Sequence, residues 1–427
     1  MARRIHVPGA RGRRPRGIAV ALLLALVPLG AAAQSSGATT ATNAAAAGSA
    51  SAAEQGNGAS PASLKPSGQA AGLDIGGNLQ EGALLLQNLS PASTPSLAGS
   101  SVLTLNFENR NRSFAKVSGS VQLNLLYGSY ADAYAAAVTQ AIGPTAAPGL
   151  LSLLETQGAA ATINLQKLYL EVFTQNADIS MGREIINFGV GTLFSPIDAF
   201  SEPELTNLNF TRSGSDVLRV DVPFGAVSGA EAVTTLSDSL NTLVSALKLY
   251  TNIDNTDFAA VTLYRGSSEE LLLGGDFSGT LIAGIYGEAV EHLFLDGQAS
   301  YFEGMLGTNY LAGNSLVFTV EYYYNGDPVA PGSLSPTQAA AATPIFLNRN
   351  YLYGSARYLL NGVMSLSGSL VYDLSAGSTL ATLQYDWNLV QNADLLFYVR
   401  SIEGDIRSGG SYPGPNLEYG FQLTVSF

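Results

Sequence analysis

The sequence has no cysteine and few charged residues, and these two shortages exclude several classes of protein. Without cysteine, the 427-residue chain has no disulfide framework, no thiolate metal site, no cysteine nucleophile and no lipoprotein acylation site. Charged residues make up only 12% of the chain, yet no apolar run after the first thirty residues reaches the roughly 18 residues of a membrane-spanning helix. With 20 Tyr and 17 Phe, this composition is typical of a β-rich chain, including one that faces lipid.

The N-terminus has the features of a targeting segment. Six arginines lie near the start, an apolar stretch follows over 18–29, and Ala31-Ala32-Ala33 comes next. A basic head, a short apolar middle and an Ala-x-Ala end predict a cleavable signal peptide over residues 1–33, and therefore export. Its removal takes away six positive charges and makes the net charge of −13 more negative. So acidic a mature chain is not expected to bind nucleic acid.

Residues 34–100 differ in composition from the rest of the chain. Between 34 and 71 the residues are mostly Ala, Ser, Gly, Thr and Pro, and only Glu54 and Lys65 are charged. Such a stretch cannot bury enough apolar surface to offset its chain entropy, so we predict a disordered linker. The more apolar part, over 73–97, is compatible with one further strand or with a small plug element.

From residue 101 onward, apolar residues recur at every second position. In the last strand, Tyr419, Phe421, Leu423, Val425 and Phe427 alternate with Glu418, Gly420, Gln422, Thr424 and Ser426. Successive side chains of a strand point to opposite faces, so this strand has one apolar face and one polar or small face. The same alternation holds over 315–325, 363–374 and 378–389.

The length of these strands decides between two kinds of β-protein. A soluble β-sandwich also alternates, but its strands are about 5–6 residues long. Strands such as 363–374 and 378–389 are twice as long and match the roughly 9–11 residues that a tilted strand needs to cross a bilayer. Lipid accepts spanning strands only in a closed barrel, where every backbone group is paired. The sequence therefore predicts an all-β fold, a transmembrane antiparallel up-and-down β-barrel over residues 101–427.

The alternation also gives an approximate strand count. The predicted strands are 102–109, 115–127, 162–174, 177–186, 215–223, 227–235, 243–251, 257–265, 270–278, 280–290, 294–303, 315–325, 350–359, 363–374, 378–389, 393–402 and a last one from 417. Long connections then fall on one side and short ones on the other, as in outer-membrane barrels, except for a long connection over 304–314. A barrel whose two chain termini lie on the same side of the membrane has an even number of strands. We predict sixteen strands if one weak strand is wrong, or eighteen if another lies within 73–97.

The end of the chain resembles a known signal. The alternation of Tyr419, Phe421, Leu423 and Val425, closed by Phe427, looks like the assembly signal of bacterial outer-membrane β-barrels. This resemblance implies recognition by the barrel-assembly machinery, a periplasmic C-terminus and a place in the bacterial outer membrane.

A local resemblance concerns the segment MGREIINFGVG at 181–191. It is similar to the Gly-Arg-Gln…Asn-Trp-Gly segment of porin-like and alginate-export-like barrels. Here Glu184 stands where Gln is usual and Phe188 where Trp is usual. The resemblance implies a porin-like barrel and no particular substrate.

The polar face of the strands identifies candidate pore-lining residues. The charged members of this face are Arg219, Asp221, Lys248, Glu288, Glu321, Arg357, Asp373, Asp386 and Arg400. Charges avoid lipid, which alone explains an inward position. A sharper hypothesis is that facing rows of opposite charge create a transverse field that filters solutes. The sequence leaves the selectivity open.

The connection after residue 187 is a candidate constriction. Phe194, Asp198, Phe200 and Glu202 lie in a stretch that is too apolar for a freely solvated loop. Folding into the lumen would bury the aromatic rings against the wall and bring Asp198 or Glu202 to the channel. Packing over the rim or in an oligomer contact is the alternative. Arg183 would need a bulge at Gly182 or a position at the rim to reach water.

An enzymatic function is not expected. After signal removal, His292 is the only histidine, and the pattern places it in a solvated turn. Ser300 lies eight residues further on, roughly 25 Å away in an extended chain, so the two form no catalytic dyad. No phosphate-binding loop, nucleophile elbow or metal-ligating histidine pair is present, and we predict no cofactor and no metal site.

The sequence thus predicts a porin-like outer-membrane channel for passive diffusion of small hydrophilic solutes. Its expected partners are outer-membrane lipid, the barrel-assembly machinery and an unidentified small solute, and a homo-oligomer is compatible with the sequence. Two alternatives stay open. One is an export conduit for a polysaccharide or another polymer. The other is a non-conducting structural or adhesive barrel at the cell surface.

Overall fold

The computed structural model describes residues 72–87, 95–109, 114–128, 150–156, 158–201, 203–205, 207–334, 345–410, 412 and 416–427. The signal-peptide prediction and the linker prediction over 34–71 lie outside these ranges. In the described part, one 3-10 turn covers Leu240–Thr242, and no helix is long and apolar enough to span a membrane.

Nineteen strands are present in the described ranges. They are β1 Leu73–Gln87, β2 Ser96–Asn109, β3 Ala115–Gly128, β4 Leu150–Thr156, β5 Ala159–Phe173, β6 Asp178–Glu184, β7 Ser215–Pro223, β8 Ser228–Thr235, β9 Val244–Ile253, β10 Thr256–Arg265, β11 Glu270–Thr280, β12 Gly284–Phe294, β13 Tyr301–Ala312, β14 Leu316–Asn325, β15 Asn350–Asn361, β16 Met364–Asp373, β17 Thr379–Val390, β18 Ala393–Glu403 and β19 Leu417–Ser426.

Eighteen of these strands form one closed antiparallel barrel. Consecutive strands pair along the chain, except that β3 pairs with β5, and β1 pairs with both β2 and β19, which closes the ring. Strand β4 is outside the ring. One edge of β5 pairs with β6, but only over residues 168–173. Strand β4 pairs with the same edge over residues 159–164, which would otherwise lack a partner. The prediction of an all-β barrel, with its eighteen-strand alternative, is confirmed.

The predicted start of the barrel at residue 101 is wrong, because β1 begins at Leu73 and β2 at Ser96. Inward-facing leucines hide the alternation of β1. Leu84 and Leu86 point inward and are buried, whereas Leu85 between them points outward, so the stretch reads as a continuous apolar run. The segment 73–97 thus contributes a barrel strand rather than a plug element.

The predicted strand 294–303 is also wrong. Its residues belong to the end of β12, a turn and the start of β13, which runs on to Ala312. Gly304, Gly307, Thr308 and Asn309 break the apolar alternation of β13 and explain the error. With β13 in place, the long connection 304–314 disappears, and a short turn over 313–315 replaces it.

The connections differ between the two ends of the barrel. At the end that carries Phe427, here called the C-terminal rim, the connections are short turns such as 254–255 and 391–392. At the opposite end, the loop rim, they include the long segments 185–214, 326–349 and 404–416. This asymmetry agrees with the predicted one.

The barrel has an apolar outside and a polar inside. In β19, Tyr419, Phe421 and Val425 are exposed on the outer face, whereas Gln422 and Thr424 are buried on the inner face. Outward apolar side chains are likewise exposed on the other strands, for example Phe397 and Leu383. Glu81 is an exception: it faces outward on β1 and accepts a hydrogen bond from Ser101 Oγ at 2.6 Å. This polarity is the reverse of that of a soluble protein.

Candidate functional site

The connection between β6 and β7, residues 185–214, folds into the barrel and is called the inner segment below. Three of its apolar side chains, those of Phe188, Leu193 and Phe194, are 0% exposed. Ile197 and Phe200 are buried as well. A loop packed only over the rim would leave part of these side chains in water. Their partners are inward-facing residues of the barrel wall.

Two apolar clusters hold the inner segment. In the first, Ile186, Phe188, Ile197 and Phe200 pack against inward residues of β7 to β12, which are Val217, Val233, Ala246, Val261, Leu263, Leu272 and Val290. In the second, the Phe194 ring is stacked on the Tyr323 ring, with centroids 5.3 Å apart, and meets the Phe346 ring edge-on at 4.7 Å. Together, the clusters pack the inner segment against inward residues of the barrel wall.

Glu288 of β12 is the first polar anchor of the inner segment. One carboxylate oxygen accepts hydrogen bonds from the backbone N–H groups of Val190 (2.6 Å) and Gly191 (2.8 Å). The other accepts from Ser195 Oγ at 2.9 Å and from Ile197 N at 3.3 Å. A ring of converging N–H groups is a favourable site for an anion, and here the anion is a side chain of the wall.

Glu321 of β14 is the second anchor and works in the same way. Its Oε1 accepts from Thr192 N at 2.5 Å and from Tyr286 Oη at 2.8 Å. Its Oε2 accepts from Leu193 N at 2.9 Å and Phe194 N at 3.1 Å. Hydrogen bonds to ionised acceptors are the strong ones, so the two carboxylates fix the path of the backbone between 190 and 197.

The glycines of the inner segment permit this close contact with the wall. A Cβ atom at Gly189 would overlap the carboxylate of Glu288 and the hydroxyl of Ser195. At Gly191 it would overlap the carbonyl oxygen of Phe194. A larger residue at Gly191 would displace the backbone, and a larger residue at Gly189 would push the Glu288 carboxylate and the Ser195 hydroxyl away.

The inner segment also touches the opposite part of the wall. Gln384 of β17 donates to Leu208 O at 3.3 Å, and Arg400 of β18 donates to Leu205 O. The Leu208 side chain packs against buried leucines of β1, in a cluster with residues of β2 and β18. With Lys248 of β9 bonded to Phe188 O at 2.5 Å, the segment crosses the lumen from one wall to the other.

The predicted constriction residues have different surroundings. Phe194 and Phe200 lie in the two apolar clusters. Asp198 forms an ion pair with Arg212 and accepts hydrogen bonds from the backbone N–H groups of Phe200 (3.2 Å) and Ser201 (3.3 Å). All these partners belong to the inner segment, so Asp198 stabilises its internal structure. Glu202 lies outside the described residues. A carboxyl that the sequence analysis missed is Glu204, whose pKa is raised by burial.

The charged residues predicted on the β7–β9 wall form local pairs. Arg219 is bonded to Glu231 at 2.5 Å and to Glu184 at 3.2 Å, and Lys248 lies 3.2 Å from Asp276. Asp221 accepts from Tyr250 Oη at 3.0 Å. These contacts join strands that are one or two positions apart on the same wall, and they do not join opposite walls.

The charged residues predicted on β15–β18 are also engaged by their neighbours. Asp373 is fully buried at the loop rim, where it accepts from Ser375 N (2.8 Å) and from the side chain of Asn348. Ser365 Oγ lies 3.3 Å from both Arg357 and Asp386 and links the two. Arg400 is buried beneath the inner segment.

Arg183 lies at the loop rim. It pairs across strands with Asp216, and its guanidinium reaches that carboxylate at 2.5 Å and Gly214 O at 3.1 Å. The adjacent Gly182 has a φ of 131°, a conformation in which a Cβ would overlap Leu168 O. A rim position therefore brings Arg183 to polar partners without a register shift in β6.

The prediction that His292 lies in a solvated turn is wrong. It faces inward on β12 and is 2% exposed, because β12 extends to Phe294. Its Nδ1 contacts Glu270, its Nε2 lies 3.6 Å from Glu303, and its ring stacks on Tyr301 with centroids 4.1 Å apart. Only a correct register for β13 would have brought Glu303 and Tyr301 to this histidine.

We expect His292→Ala to destabilise the barrel. The substitution removes the imidazole between Glu270 and Glu303, so buried carboxylate oxygens lose that partner. This loss should lower the free energy of unfolding by about 1–3 kcal/mol. The measurement is the temperature at which the folded, fast-migrating gel band is lost. Gln298→Ala, in the exposed turn after β12, is the control and should leave the midpoint unchanged. Equal midpoints for both variants would contradict a supporting role of His292.

Comparison with known proteins gives similarity in structure and none in sequence. No protein-family model matches the chain, and no curated protein matches it. A mutant porin of Rhodopseudomonas blastica aligns with 11% identity and a TM-score of 0.43, covering 83% of this chain and all of that one. The crystal structure of OccAB4 from Acinetobacter baumannii aligns with 9% identity and a TM-score of 0.52, covering 85% of this chain and all of that one. At such identity the likeness concerns the fold alone, and the chain has a porin-like β-barrel fold.

Proposed function

We propose that the protein is an outer-membrane channel of the porin type, through which small hydrophilic solutes diffuse passively past the inner segment. The observation that carries this proposal is the inner segment itself. It crosses the lumen and is bonded to the wall on both sides, through Lys248, Glu288 and Glu321 on one side and Gln384 and Arg400 on the other. A wall-anchored crossing segment narrows a wide barrel to a defined passage.

The surface of the barrel supports a place in the outer membrane. Apolar side chains exposed around the outside suit contact with lipid, and a closed ring leaves no unpaired strand edge in the hydrocarbon. The aromatic ending at Phe427 supports delivery by the barrel-assembly machinery, and the arginine-rich start supports export by a signal peptide. A passive passage requires no catalytic group, and His292 is engaged by Glu270 and Glu303.

A second candidate is a non-conducting barrel. The apolar clusters that fill part of the loop-rim half of the lumen favour it, since a packed core there obstructs flow. An export conduit for a charged polymer is less favoured, because the inner wall carries both signs of charge, as in the pairs Arg219–Glu231 and Lys248–Asp276.

Single-channel recording in planar bilayers tests the proposal. We expect the refolded protein to give stable open steps of uniform size. Heat-dependent gel mobility establishes that the barrel is folded before each recording. A folded barrel that inserts into liposomes but gives no steps would overturn the channel and favour the non-conducting alternative.

A further inference from the structure

The inner wall has two faces of different chemistry. On the strands from β6 to β14, where the inner segment is anchored, the inward residues include the ion-paired charges and Glu288 and Glu321. On the other face, from β15 through β19 and β1 to β5, the middle level carries mostly uncharged polar side chains, with Leu396 and Tyr398 of β18 and Val102 of β2 as exceptions. We call this second region the amide–hydroxyl belt. The belt includes Ser355, Ser369, Gln422, Gln122, Thr162 and Asn164.

Strand register divides the belt into two parts, one on β15 to β17 and one on β19, β1, β2, β3 and β5, with the paired charges Arg400 and Glu418 between them. Ser355 is directly paired with Ser369, and Gln122 with Asn164. Hydrogen bonds run between its members: Gln422 Nε2 donates to Gln80 at 2.9 Å, and Asn164 Nδ2 donates to Thr162 Oγ1 at 3.4 Å. Other charged residues lie beside the two parts. Arg357 and Lys167 lie toward the C-terminal rim.

The inner segment contacts this face at Leu205 and Leu208 and leaves part of the belt exposed to a solute. On the anchored face, the inner segment covers the wall, and Phe188, Leu193 and Phe194 have no exposed surface. On the belt, Ser355, Ser369 and Asn164 keep part of their surface exposed, whereas Gln122, Thr162 and Gln422 are buried. A solute that passes the inner segment therefore meets amide and hydroxyl groups at these positions.

From this arrangement we propose that the channel favours uncharged solutes rich in hydroxyl groups, such as small sugars, over ions of the same size. The inference rests on the proposed channel function. Amide and hydroxyl groups both donate and accept hydrogen bonds, so they replace the water that a sugar hydroxyl loses in a narrow passage. They offer no opposite charge to an ion, which pays a desolvation penalty there without compensation.

Osmotic swelling of proteoliposomes with two probes of equal size tests this proposal. D-ribose is uncharged, and ribonate has the same carbon skeleton with a carboxylate. We expect ribose to enter several-fold faster than ribonate through the unmodified protein. Asn164→Asp places a charge in the belt without a change of shape and should slow ribonate several-fold, with a smaller effect on ribose. Asn255→Asp, in a turn at the C-terminal rim, is the matched control and should leave both rates unchanged.

The outcomes separate this inference from the channel function. Channel steps with equal entry of ribose and ribonate, or an Asn164→Asp variant that behaves like Asn255→Asp, would overturn the preference and leave the channel standing. A folded barrel with neither conductance nor swelling would overturn both.

Discussion

Replacing residues 186–213 with a short Gly-Ser turn is expected to raise single-channel conductance several-fold. The geometry allows a clean excision, because Glu184 and Ser215 are directly paired at the ends of β6 and β7, and a tight turn can join them. The replacement removes the part of the chain that crosses the lumen and leaves all eighteen strands of the ring. Flow through a wide barrel is then limited by the wall rather than by the inner segment.

The control is the loop-rim connection 236–243, whose central residues 238–241 are exposed at the surface. Shortening this connection should leave the conductance unchanged. Because the excision uncovers apolar wall residues such as Val217 and Leu263, some loss of thermal stability is expected, and gel mobility must show that the variant is still folded. Equal conductance for the excised and unmodified proteins would mean that the inner segment does not limit flow.

Strands with uninterrupted alternation could be predicted from the sequence. In β17 and β19 each inward position is polar or small and each outward position is apolar over most of the strand, so period two is enough to define the bounds to within one or two residues. The two errors have one cause. In β1 leucines occupy inward positions, where they pack with Leu208 of the inner segment, and in β13 Gly304 and Thr308 occupy outward positions. Both strands thus break the alternation from which the bounds were predicted.

The candidate site could be predicted only in part, because its contacts are remote in sequence. The apolar character of the stretch around Phe194 and Phe200 is local, and it points to a buried loop. The roles of Glu288 and Glu321 are not local. Each carboxylate accepts from backbone groups about a hundred residues away, and the sequence gives only its inward direction. That these carboxylates contribute to a transverse field in the lumen remains a prediction, whereas their hydrogen bonds to the inner segment are observed.

The second large effect is expected from Glu321→Gln, which should give channels that switch between two conductance levels. A glutamine keeps one acceptor oxygen and puts an NH₂ donor where the other oxygen was. In one orientation of the amide this donor faces Leu193 N and Phe194 N, and in the other it faces Thr192 N and the Tyr286 hydroxyl. All four groups are donors themselves, so two hydrogen bonds are lost in either orientation. Each hydrogen bond to a charged acceptor contributes about 1.5–3 kcal/mol, so the loss of two shifts the balance between attached and detached states by about two to four powers of ten.

Dwell-time analysis of single channels measures this shift. The fraction of time at the higher level should rise at least tenfold in Glu321→Gln over the unmodified protein. Glu291→Gln is the matched control, since Glu291 faces outward on β12 close to Glu288 but away from the inner segment. A single conductance level in Glu321→Gln, equal to that of the control, would contradict the anchoring role.

The double variant Glu288→Gln/Glu321→Gln tests whether the two anchors hold one body. Both carboxylates bind backbone groups between Val190 and Ile197, a stretch too short to move at one end alone. If the stretch detaches as a unit, the two losses add in free energy, and the detached fraction rises by the product of the two single effects. If each anchor holds its own part of the backbone, each variant should produce its own intermediate level, and the double variant should show both. Two separate levels would therefore overturn the picture of one rigid segment held at two points.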